Sequence, residues 1–128
     1  MDTGEQAVRK VLKALGEVNR RLRDHAVMIR RKPGVQSTDT RLEVIDYQNG
    51  PMIEAYVGAE MKDGTALCWS LDVSWTDDSF HMEATLERNS RAGAETLDHL
   101  PACKVEDVDE LPQALISMTH ALLALDSR

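Results

Sequence analysis

Glu54, Asp72 and Glu83 are the residues whose type and spacing point most directly to chemistry, because the strand registers read below align all three across neighbouring strands. Strands lie about 4.8 Å apart, so each carboxylate stands within roughly 5.5 Å of the next at the backbone. Like charges directly opposite are mildly destabilising, and folding alone has no reason to choose them. Three hard-oxygen groups in a row fit a cation site, a paired general acid and base, or a docking surface for Lys and Arg. A cation site needs six or more oxygens to converge, which a flat sheet does not supply unless a loop folds over it. An acid pair needs a cleft to separate its two pKa values. A protein surface carrying Lys and Arg is the simplest complement. The plainest alternative is a solvated sheet face whose acids are neutralised by Arg41, Arg88 or Arg91.

The same registers place His81 beside Ser74 and Met52 in the row above, and Tyr56 beside Ser70 and Thr85 in the row below. Ile45, Tyr47, Met52 and Tyr56 then form an apolar, aromatic patch near the first strand, of the kind that marks an interface. The candidate binding set is therefore Glu54, Asp72, Glu83, His81, Tyr47 and Tyr56. No catalytic residue, metal ligand or cofactor is assigned. His25, His81, His99 and His120 share no metal-ligand spacing, and the seven glycines form no phosphate-cradling loop.

The elements that must position these residues are legible in the periodicity. Thr3 and Gln6 have capping-box spacing, and apolar residues recur at Val8, Val11, Leu12, Leu15, Val18, Leu22, Ala26 and Ile29, the helical interval. Arg30, Arg31 and Lys32 suit the negative end of that helix, and Pro33-Gly34 stops it. From Arg41 the period changes to two, and turn signals separate four strands. Asn49-Gly50 reads as a two-residue turn, setting Tyr47 opposite Met52 and Ile45 opposite Glu54. Lys62-Asp63-Gly64 reads as a three-residue loop, because only that register unites Val57 and Ala59 with Trp69 and Leu67. A four-residue loop from Thr76 to Ser79 sets Phe80, Met82, Ala84 and Leu86 opposite Trp75, Val73, Leu71 and Trp69.

Residues 89 to 106 show no sustained period and read as a loop with one helical turn at Thr96 to Leu100. Asp109 serves as N-cap of a closing helix, with Leu111, Leu115, Met118, Leu122 and Leu125 as its stripe. The expected fold is α+β over residues 1–128 as one domain. A four-stranded antiparallel meander carries an N-terminal and a C-terminal helix on one face.

Composition narrows the function classes. The net charge of -7 is uneven: residues 1 to 32 hold nine basic and four acidic side chains, the rest six and eighteen. An acidic body argues against non-specific nucleic-acid binding, which needs clustered cations. No apolar run is long enough to span a bilayer, and the N-terminus does not read as a signal peptide. Cys68 and Cys103, without CxxC spacing, read as reduced thiols of a cytoplasmic protein. Two function classes stand. One is an interaction protein, an inhibitor of the immunity type or a dedicated chaperone, docking a basic partner or pairing with itself as a homodimer. The other is a small-ligand-binding or enzymatic domain with its site between the open sheet face and a loop.

Overall fold

The computed structural model describes residues 3–47 and 50–125. A long helix, α1 (Thr3–Arg30), leads into strands β1 (Val35–Tyr47), β2 (Gly50–Met61), β3 (Ala66–Thr76), β4 (Ser79–Ser90), β5 (Gly93–His99) and β6 (Cys103–Val105), and α2 (Leu111–Leu123) follows. The sheet is antiparallel in the order β1-β2-β3-β4-β5, with β6 also paired to β4. The α+β architecture is the expected one. Segment 89 to 106, however, is not a loop with a helical turn: β5 and β6 pair with the two ends of β4, giving six strands.

Strict alternation on β3 and β4 builds the covered face. Leu67, Trp69, Leu71 and Val73 are buried with Met82, Ala84 and Leu86, and Ala55, Val57 and Ala59 join them from β2. From above, α1 contributes Ala14, Val18, Leu22, Ala26 and Ile29, and α2 contributes Leu111, Leu115 and Leu122, making one continuous cluster. Removing this area from water is the main force holding the layers together. Trp69 also donates its indole N–H to the Leu125 carbonyl at 3.1 Å, tying α2's end to the sheet. In α2 Thr119 is fully buried beside Leu115 and Leu122, its hydroxyl donating to the Leu115 carbonyl at 2.7 Å, while Met118, expected in the stripe, is half-buried. The N-cap is Glu110 and makes no side-chain cap bond, whereas Asp109 lies one residue earlier, its N–H bonded to Asp107.

Three expected core positions are exposed, among them Trp75 near the end of β3, which packs on Phe80 beyond the helices' cover. Val8 and Leu12 are 58% and 62% exposed, because the apolar stripe of α1 drifts off the sheet in its first turns. The capping interaction read at Thr3 and Gln6 lies outside the described side chains. Among the described residues no helix is long and apolar enough to cross a membrane.

Two registers match expectation and one is displaced. β2–β3 and β3–β4 pair as read, with Gly64 left-handed in the three-residue loop. The β3–β4 loop is shorter than expected: Thr76 pairs with Ser79, and Asp77 and Asp78 both adopt positive φ, the requirement of a type I′ turn. In β1–β2, Tyr47 pairs with Gly50 and Glu43 with Glu54, two residues from the expected register. Gly50 thus belongs to β2 and not to the two-residue turn read at Asn49-Gly50; residues 48 and 49 lie outside the described residues. The observed register sets Val44 opposite Ile53, where the expected one would have set Asp46 there. Because the displacement is two residues, every side chain keeps its face.

Candidate functional site

The face of the sheet turned away from the helices carries a row of carboxylates. Glu54 faces Asp72, and Asp72 faces Glu83, as the sequence predicts. The displaced hairpin adds a fourth acid that sequence reasoning placed elsewhere, since Glu43 and not Ile45 stands opposite Glu54. The signal for it was Asp46: a register that keeps this charge off Ile53 also delivers Glu43 to the row.

Asp72 sits at the centre of the row and is half-buried. Burial first, then the charges of Glu54, Glu83 and Glu87, push its carboxyl above the ordinary aspartate value. No cation offsets this: among the described residues, no Lys, Arg or His comes within 4 Å of the Glu54, Asp72 or Glu83 carboxylates. Of the arginines expected to neutralise the acids, Arg41 pairs instead with Glu43 at 3.5 Å. Arg88, opposite Leu67 on the covered side of the ladder, influences Asp63 in the β2–β3 turn. Among the described residues, no group of three or more His, Cys, Asp or Glu converges as a metal cage would.

The flanking rows are polar and structured. Along β2, β3 and β4, Met52, Ser74 and His81 align above the acids, and Lys104 of β6 extends that row beside His81. His81 is half-buried, its Nε2 3.1 Å from the Ser79 hydroxyl. Below the acids, Arg41, Tyr56, Ser70, Thr85 and His99 align. The Arg41 guanidinium lies over the Tyr56 ring, 5.3 Å from its centroid.

Tyr56 is half-buried and committed to its own chain. Its hydroxyl reaches 3.5 Å from Cys68 Sγ, which also receives the Asn89 side-chain amide at 3.4 Å. The ring packs over Gly58, where an added Cβ would run into both the Tyr56 hydroxyl and Asp39 Oδ1. Burial, and then the Cys68 contact, raise the Tyr56 hydroxyl well above its ordinary pKa, so it stays protonated. Tyr47 ends β1 opposite Gly50, and its side chain lies outside the described ones. Of the six candidate residues, Glu54, Asp72 and Glu83 thus form one row. His81 and Tyr56 lie one row to either side, about 7 Å along the strands.

Cavities among the described residues open elsewhere. One, of about 500 Å³, lies between α1 and α2 and is lined by Lys10, Lys13, Glu17, Arg21 and Asp109, among others. Two more, of about 360 and 280 Å³, flank His25, and one of about 200 Å³ lies at the Trp75–Phe80 end of the sheet. None of these four is lined by Glu54, Asp72 or Glu83. No family model matches the chain, nor does any curated protein or solved structure.

Proposed function

We propose that this chain is a protein-interaction module, of the inhibitor or dedicated-chaperone kind, that docks a basic segment of another protein on the open face of its sheet. The carrying observation is the row Glu54–Asp72–Glu83: directly opposed carboxylates, the central one half-buried, without a cation of the chain within 4 Å among the described residues. A row of this kind is costly in the free protein, and a Lys or Arg laid across it relieves the repulsion while gaining charge-assisted hydrogen bonds. The flanking Ser70, Ser74, Thr85 and His81 supply hydrogen-bonding partners for the backbone of an extended segment. Free Cys68 and Cys103 fit a reducing compartment such as the cytoplasm.

The test is the affinity for a labelled peptide of alternating Lys and Ser. It compares the wild type, a Glu54→Gln/Asp72→Asn/Glu83→Gln variant, and a control Glu106→Gln/Asp109→Asn/Glu110→Gln variant of equal net charge. Neutralising the row weakens binding by about tenfold or more, and the control changes it by about twofold or less. Equal losses in both variants contradict the reading.

A further inference from the structure

We infer that β1 is a self-association edge, along which two copies of this chain pair antiparallel about a two-fold axis at Leu42. The inference uses the edge of the sheet, not its open face, and stands apart from the docking role above.

The two sides of the sheet are treated differently by the sequence. On the far side, β5 and β6 are short, Pro101 separates them, Lys104 sits on β6, and Leu97 forms a bulge in β5 opposite Leu86 and Glu87 of β4. These are the usual devices that keep an edge from pairing. β1 is 13 residues long, and from Ser37 to Tyr47 it has no proline, no lysine and no bulge. As the terminal strand of the sheet it leaves its outer N–H and C=O groups without a neighbouring strand, and its charges, Asp39, Arg41, Glu43 and Asp46, are of both signs.

Among pairings centred on residues 40 to 43, charge and apolar matching together favour one. A two-fold axis allows only registers centred on a residue opposite itself. Centring on Arg41 sets Arg41 against Arg41 and Asp39 against Glu43; centring on Glu43 sets Glu43 against Glu43. Centring on Leu42 sets Leu42 against Leu42 and, on both sides of it, Arg41 against the partner's Glu43. Centring on Thr40 matches Asp39 with Arg41 but sets Leu42 and Val44 against Thr38 and Gln36.

The exposed apolar residues fall at the same level. α1 returns over β1 from the turn at 31–34, and Val35 and Leu42 of β1 pack against the core that α1 helps to build. At about 1.5 Å per helical residue and about 3.3 Å per strand residue, Leu12 and Val8 lie level with roughly residues 43 to 45. Both are on the flank of α1 away from the one that Lys10, Lys13, Glu17 and Arg21 turn towards α2. Val44, on the helix side of β1, is 70% exposed. An edge pairing at Leu42 therefore brings the Leu12 and Val44 side chains of both copies to the centre of the contact, where apolar burial adds to the backbone ladder.

Sedimentation equilibrium of the full chain between about 5 and 300 µM tests this, with circular dichroism confirming the fold of each variant. The wild type should dimerise. Arg41→Glu or Glu43→Arg alone should weaken the dimer by about tenfold or more, and the double exchange Arg41→Glu/Glu43→Arg should restore it to within a few-fold. Val44→Lys and Leu12→Lys, at exposed positions that leave the core intact, should also dissociate it. A monomeric wild type at the highest concentration overturns the inference, and so does a dimer that none of these substitutions weakens.

Discussion

Glu43 stands directly opposite Glu54 across the β1–β2 ladder, and its carboxylate is the one in the row that holds an arginine, the Arg41 beside it on the same strand. The row is thus balanced at its β1 end and uncompensated at its centre. Asp72 is half-buried and flanked on both sides, and burial first, then the neighbouring charges, raise its carboxyl above the ordinary aspartate value.

Asp72→Asn should stabilise the free protein at neutral pH by about 1 kcal/mol, the scale of a like-charge cross-strand pair. The sign follows from the raised folded pKa: wild-type stability is fully present below the unfolded aspartate value of about 3.8 and is lost as pH rises through the folded value. The gain in the variant is therefore absent at pH 3, present at pH 7, and smaller in high salt. Urea denaturation at both pH values and two salt concentrations measures it.

His25 lies in the core of α1, edge-on to Trp69 with ring centroids 5.1 Å apart, and its buried Nε2 has no partner among the described residues. Burial, and then the charge of Lys32, hold its pKa below the ordinary histidine value. The unfolded chain therefore takes up this proton first as pH falls. Stability present above about pH 6.5 is lost below it, with a slope of up to about 1.4 kcal/mol per pH unit from this group. His25→Leu should remove that slope, as denaturant midpoints between pH 5 and 8 would show.

Gly58→Ala should destabilise the protein by about 1–3 kcal/mol, the cost of forcing a methyl against the Tyr56 hydroxyl and the Asp39 carboxylate. Combined with Tyr56→Phe the loss should be smaller than the sum of the single losses, because phenylalanine removes the hydroxyl, one of the three atoms in the way of the new methyl. A double-mutant cycle on unfolding free energies measures the coupling. Strict additivity would mean that Tyr56 does not pack on Gly58.

The face of each strand was legible because Leu67, Trp69, Leu71 and Val73 alternate with polar residues, and burial tolerates no one-residue slip. The β1–β2 displacement was not, because a two-residue shift leaves faces unchanged and gives periodicity nothing to detect; only the position of Asp46 against Ile53 separates the two registers. β5 escaped for a different reason. Six of its seven residues are exposed, so no apolar alternation exists to read, and backbone pairing to β4 holds it. In α1 the helical period was clear, but Val8 and Leu12 carry it beyond the sheet, and a periodic stripe does not reveal where its cover ends.

The docking face is tested most directly by following backbone amide shifts of the ¹⁵N-labelled chain as the Lys-Ser peptide is added. Shifts concentrated on residues 52–56, 70–74 and 81–85, and abolished by Glu54→Gln/Asp72→Asn/Glu83→Gln, are the predicted result. Shifts centred on the acidic segment 106–110 or on the cavity between α1 and α2 would contradict it.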